Sequence, residues 1–187
     1  DFAAVLEAAK HNPKGVSVAT SGYGTLGHIM VEQLRRKSGA NLVHVPYKGG
    51  SQLITDAAGA QFDILLANPY APINALLSEG KLRVLAVTGP QRVPTLPLLP
   101  TLGEVGFEEA NLTSTFGFYA PSSTPPAIVQ RMHAEVTRLL KTADMQERLR
   151  KLDNMAYPMD QPAFAALVRK DYVANARIIS AAGIQAQ

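Results

Sequence analysis

In the first half of the chain, short runs of aliphatic and β-branched residues alternate with longer amphipathic stretches. Residues 16–19, 42–45, 62–66 and 83–87 are almost continuously apolar, as parallel strands covered on both faces must be. Between the first two, Ile29, Met30, Gln33, Leu34 and Lys37 fall in rows at helical spacing, apolar on one side, with Arg35 and Arg36 turned to solvent. That helix is expected over 26–37, stopped by Gly39. Ser51, a good N-cap, opens a shorter helix ending at Gly59, and a third runs from 71 to 78 before Gly80. The β-α-β-α-β-α-β order predicts an α/β fold, a doubly wound, mostly parallel sheet with right-handed crossovers.

The pattern then changes. Pro90, Pro94, Pro97 and Pro100 crowd one stretch, and each fixes φ and removes a donor, so an ordered surface connection is expected. Residues 116–120 read as one more strand, ending at Pro121. Thr124 as cap and Pro125 at the first helical position introduce a helix with a stripe of Ile128, Val129, Met132, Val136, Leu139 and Leu140. A helix over 144–152 follows, then one from Asp160 to Gly183 with Phe164, Leu167, Val168 and Ala176 inward. The division is an α/β lobe over 1–112 and a returning strand with three helices over 113–187. One strand makes no sheet, so its partners must come from the first unit, another copy or residues outside this sequence.

Composition narrows the chemistry. The 187 residues are 47% apolar and 18% charged, enough to bury a core, and no apolar run approaches the length of a membrane span. A net charge of +3 is scattered, without basic–aromatic interleaving, so nucleic acid is not indicated. Cysteine is absent, which excludes disulfides, thiolate zinc sites and cysteine nucleophiles. His11, His28, His44 and His133 show no metal-like spacing, and no Gly-x-Ser-x-Gly elbow or carboxylate pair is present, so neither a metal nor catalysis is expected.

Chemistry concentrates in three strand-to-helix loops, where ligands of open α/β sheets settle. Thr20-Ser21-Gly22-Tyr23-Gly24-Thr25-Leu26-Gly27-His28 and Pro46-Tyr47-Lys48-Gly49-Gly50-Ser51 are rich in glycine and in donors; Asn68-Pro69-Tyr70-Ala71-Pro72 adds an amide. Glycines allow backbone N–H groups close to a ligand, and each helix start presents its positive dipole end. Such loops suit a carboxylate or phosphate, although one glycine-rich turn alone needs no ligand. Gly22-x-Gly24-x-x-Gly27 also matches the dinucleotide fingerprint, yet no Asp or Glu lies between Gln33 and Thr55 to hold a ribose. Lys48 as a 2′-phosphate reader keeps an NADP-dependent oxidoreductase as an alternative, and a protein-interaction module is another.

Ser21-Gly22-Tyr23-Gly24-Thr25 through His28, the block Val45-Pro46-Tyr47-Lys48-Gly49-Gly50, the run Gly80 to Thr88, Pro100-Thr101-Leu102-Gly103-Glu104, and Phe116-Gly117-Phe118-Tyr119-Ala120-Pro121 followed by Thr124-Pro125 together resemble the tripartite tricarboxylate transporter receptor family. These are the Bug or TctC-like periplasmic solute-binding proteins, and the resemblance spans nearly the whole chain. It implies a periplasmic binding protein fold of type II that closes on a small carboxylate-bearing solute, without cofactor or metal, and works with membrane subunits of the transporter. Carried over by position, Ser21, Gly22, Gly24, Thr25, Tyr47, Lys48, Gly49, Gly50, Ser51 and Asn68 would contact that solute through amides and hydroxyls. Ala67 stands where many relatives carry Asp, which implies a plain dicarboxylate or aromatic acid over an amino acid. Phe116 or a neighbour stands where relatives often carry Trp. The family's opening strand and Gly-Gly loop are missing here, and Asp1-Phe2 joins the pattern in the helix leading into the second lobe. An N-terminally shortened chain is therefore expected, with part of the first lobe absent and a homodimer as one way to cover its helices.

Overall fold

Three strands form the ladder: β1 (Val16–Thr20), β2 (Leu42–Pro46) and β3 (Ile64–Leu65). They are parallel, in the order β2-β1-β3, with Val18 opposite both His44 and Ile64. The structure is a computed structural model that describes residues 1–184, so the last three residues of the expected second segment lie outside it.

The doubly wound expectation is met by the alternation along β1. Val16 and Val18 join one core with Phe2, Leu6 and Ala9 of α1 (Phe2–His11), Met30, Val31 and Leu34 of α2 (Leu26–Ser38), and Leu42. Ala19 joins a second core with Tyr47, Leu53 and Ala57 of α3 (Gly50–Ala58), Phe62, and Leu76 of α4 (Ala71–Ser78). Successive strand residues point to opposite faces, so the strand in the middle of the sheet feeds both cores, with Val16, Val18 and Ala19 all buried. Each large side chain buried in this way contributes about 1.5–3 kcal/mol.

Helix ends follow local chemistry. Asp1 caps α1 by accepting from the Ala4 N–H at 2.8 Å. Gly39 ends α2 in the left-handed region at φ 68°, its N–H donating to the Arg35 carbonyl, as expected of a glycine there. Ser51, expected to cap α3, does not: Gly49 holds that position, with extended backbone and no side-chain cap.

Two expected strands are absent. Among the described residues, 83–87 join no ladder, and Val87 makes a parallel bridge with Thr101. Their apolar character has another cause, since Leu85 and Ala86 pack against the first core. Residues 116–120 are likewise outside any sheet, and Phe116, Phe118 and Tyr119 are each more than 70% exposed.

The chain divides into two compact units, one of Asp1–Ser114 joined by the last turns from Arg177, the other Thr115–Ala176. The helices α5 (Pro126–Leu140), α6 (Ala143–Lys151) and α7 (Gln161–Ala181), the last running past Ala176, contain no buried residue. Pro125 takes the cap position of α5 instead of Thr124, whose N–H closes a turn onto the Pro121 carbonyl. Val168 and Ala176, expected to face inward, are exposed, as are Ile128, Met132 and Leu139. Where the expected strand would be, Tyr119 packs on Phe164 with ring centroids 5.7 Å apart. Among the described residues no helix is long and apolar enough to cross a membrane, and no group of metal-ligating side chains occurs.

Candidate functional site

The three loops at the carboxyl ends of β1, β2 and β3 are neighbours. A Cβ placed on Gly22 would lie 3.5 Å from the Tyr47 carbonyl oxygen, and one on Gly50 would lie 3.4 Å from the Tyr70 hydroxyl. The Tyr47 N–H donates to the Thr20 carbonyl at 3.0 Å, so the second loop leaves the sheet hydrogen-bonded to the end of β1. Gly22 and Gly24 sit at φ 136° and 69°, conformations that L side chains rarely adopt, so here the glycines are required by the backbone. Gly27 is required by packing: its Cβ would approach Thr20 Cβ and Cγ2 to 3.1 and 3.2 Å.

These loops carry a surplus of donors. With no side-chain cap on α3, the amides of Gly50, Ser51 and Gln52 are left unused by the helix. Ser21, Lys48, Ser51 and Asn68 are exposed, and their side chains make no hydrogen bond or ion pair among the described residues. No Asp or Glu occurs in any of the three loops. Amides, hydroxyls, an ammonium group and a helix N-terminus are the donor types that suit an anionic oxygen.

Other expected site residues spend their donors inside the protein. Gly22 N–H donates to Thr20 Oγ1 at 3.3 Å, Gly24 N–H to His28 Nδ1 at 3.1 Å, and the Thr25 hydroxyl to the Gly22 carbonyl at 2.7 Å while it caps α2. Tyr47 is 8% exposed in the second core, where its hydroxyl donates to Asp56 at 2.7 Å. Burial, and then the neighbouring Asp56 carboxylate, push that phenol up to about 12, so it stays protonated. Tyr47 and Thr25 shape the site; Ser21, Lys48, Gly49, Gly50 and Ser51 face solvent within it, with Asn68 exposed on the third loop.

Sequence reasoning missed the group that holds the first loop. His28 and His44 stack with ring centroids 3.9 Å apart and a 14° tilt, and Tyr23 meets both edge-on at 5.3 Å. Since Gly24 donates to His28 Nδ1, the His28 proton is assigned to Nε2. Thr20 Oγ1 lies 2.7 Å from His44 Nε2 and 3.3 Å from both the Gly22 nitrogen and the Gly22 carbonyl oxygen, and its contact with His44 closes with either ring tautomer. In either case His44 Nδ1 is buried with no partner. Burial, with His28 beside it, drops His44 to about 4; burial also lowers His28, with Glu32 opposing and Arg35 assisting. Both rings are neutral near pH 7. Their pairing needs the β2 register and the α2 face together, which spacing along the chain does not contain.

Comparison with known proteins adds a second line. The family model described as tripartite tricarboxylate transporter family receptor matches residues 2–184. A protein encoded in the gbd 5′ region of Cupriavidus necator is 32% identical over 177 residues, covering 94% of this chain and 53% of that one. A solved periplasmic transporter superposes with a TM-score of 0.89 at 27% identity, covering 99% of this chain and 61% of that one. An R. palustris protein solved with adipate superposes at 0.85 with 26% identity, over 98% of this chain and 61% of that one. The chain thus spans about half the length of its curated relative, and its fold is that of periplasmic binding proteins.

Proposed function

The chain belongs to the tripartite tricarboxylate transporter receptor family, and from that premise we propose that it is part of an extracytoplasmic receptor binding a small organic acid, a plain dicarboxylate first among them. The observation that carries this reading is the abutment of two glycine-lined strand exits, the second with the Gly50, Ser51 and Gln52 amides unused by its helix, and neither containing an Asp or Glu. The adipate held by the R. palustris relative is a solute of that class. Ser21, Lys48, Gly49, Gly50 and Ser51 would bear on the carboxylate oxygens, Asn68 on a second polar group, and Gly22, Gly24, Thr25 and Tyr47 would fix the walls. Nothing in this arrangement activates a nucleophile or moves a proton to a substrate, which is why the reading is a receptor and not an enzyme. Delivery of the solute to membrane subunits, in the periplasm, is part of the same proposal and is supported by the family's description as a transporter receptor. The exposed apolar residues of the second unit favour self-association of this chain, read by light scattering.

Calorimetric titration with C4–C8 dicarboxylates and aromatic acids, adipate included, tests the reading. Heat and a raised melting temperature with at least one acid, and none with the diamine of matching length, are expected. An absence of heat with every acid would defeat it. A change in NADPH fluorescence on mixing would instead favour the dinucleotide alternative at Gly22–Gly27.

A further inference from the structure

The first site loop is held by groups that cannot accept a proton without releasing it. His28 Nδ1 accepts the Gly24 N–H at 3.1 Å, so a proton placed there would set two N–H groups against each other. His44 Nε2 meets Thr20 Oγ1, and a charged ring carries a proton on both nitrogens, so its Nδ1–H would be buried with no partner. The rings stack at 3.9 Å, so charging both also sets two cations face to face. Thr20, to which His44 is tied, is fully buried and ends the central strand.

We propose that the stacked His28–His44 pair is a proton-operated latch on the loop between β1 and α2. Neutral, it holds Gly24 and Gly22 in the binding arrangement; charged, it lets the loop go and weakens the hold on a bound carboxylate. This rests on the carboxylate-binding reading above.

The charges around the pair fix where the proton goes. On α2, Glu32 favours a cation on His28 and Arg35 opposes it, the two acidic and basic groups being themselves paired. Among the described residues, β2 contributes His44, the loop the Tyr23 ring, and β1 the hydroxyl of Thr20. The 3₁₀ turn Glu108–Ala110 also packs on α2, but its Glu109 is engaged by Arg36. His28, with Glu32 one turn away, is the ring that charges first. Burial holds both rings below the ordinary histidine value, so the latch is closed at neutral pH and opens in acid.

The test titrates adipate into the protein between about pH 7.5 and pH 5, comparing wild type with His28→Asn and His44→Gln. Asn places an amide oxygen near the Nδ1 position, and Gln an amide N–H near Nε2, so each keeps the hydrogen bond and loses the titration. Protonation of adipate itself is common to all three proteins and cancels in the ratio. For a single coupled proton, the wild-type Kd rises relative to the variants by up to about tenfold per pH unit once the pair charges. In the ligand-free protein, the Gly24 amide resonance moves over the same range in wild type and stays put in His28→Asn. A constant ratio of Kd values, or a Gly24 resonance that does not titrate, would overturn the latch. No adipate heat at neutral pH would instead count against the binding reading, and the Gly24 resonance would still decide the latch.

Discussion

Gly27→Ala sets two effects of opposite sign against each other. In a helix, alanine is favoured over glycine by up to about 1 kcal/mol, and less in the first turn, where Gly27 lies. Against this, the new methyl would stand 3.1 Å from Thr20 Cβ and 3.2 Å from Thr20 Cγ2. A flexible neighbour would turn aside at little expense. Thr20 is fully buried and its hydroxyl is held by Gly22 and His44, so it cannot turn. The start of α2 must then move outward by a few tenths of an ångström, an overpacking penalty of about 1–3 kcal/mol. The overpacking wins: we expect a net loss of about 1–2 kcal/mol, seen as a melting temperature lower by roughly 2–8 °C. The double variant Thr20→Ser with Gly27→Ala removes the Cγ2 contact and keeps the hydroxyl, so a double-mutant cycle in urea should show a favourable coupling of about 0.5–1 kcal/mol. A Gly27→Ala protein as stable as wild type, or additive behaviour in the cycle, would refute the claim that Thr20 is immobile.

Three further outcomes are expected. Leu53→Ala, emptying a position only 4% exposed beneath α3, should lower stability by about 2–4 kcal/mol by chemical denaturation. Lys48→Ala should raise the adipate Kd a few-fold at low salt, with little difference at high salt; an unchanged Kd would return Lys48 to an ordinary surface lysine. Stability should also depend on pH through His44, whose folded value of about 4 lies below its ordinary 6.5. Between those values the unfolded chain binds more protons, so stability is complete above about 6.5 and falls as the pH drops towards 4. After allowance for solvent screening the loss amounts to about 1–2 kcal/mol, and in His44→Gln that part of the profile should be flat.

The ladder strands and their helices were legible because each carries its own signal: nearly continuous apolar runs at 16–19 and 42–45, helical rows in α2, glycine at its end. Residues 83–87 and 116–120 carry the same apolar signal without a ladder. Hydrophobicity reports what a residue is packed against, and it does not report whether a strand lies beside it to receive hydrogen bonds. At the site, the loops could be found from glycine and donor content, but which donors remain open could not. Tyr47 and Lys48 are adjacent in sequence, yet one phenol is bound to Asp56 in the core while the neighbouring ammonium stands in solvent. The His28–His44 stack was hidden for the related reason that its two members are brought together only by tertiary packing.

Thr20 grips one loop by its hydroxyl and the other by its carbonyl. A change at this single threonine would therefore disturb both loops at once, whereas the exposed side chains of Ser21, Lys48 and Asn68 touch neither of its bonds. The alignment of the two loops thus hangs on one residue, while the surface they present is set by others.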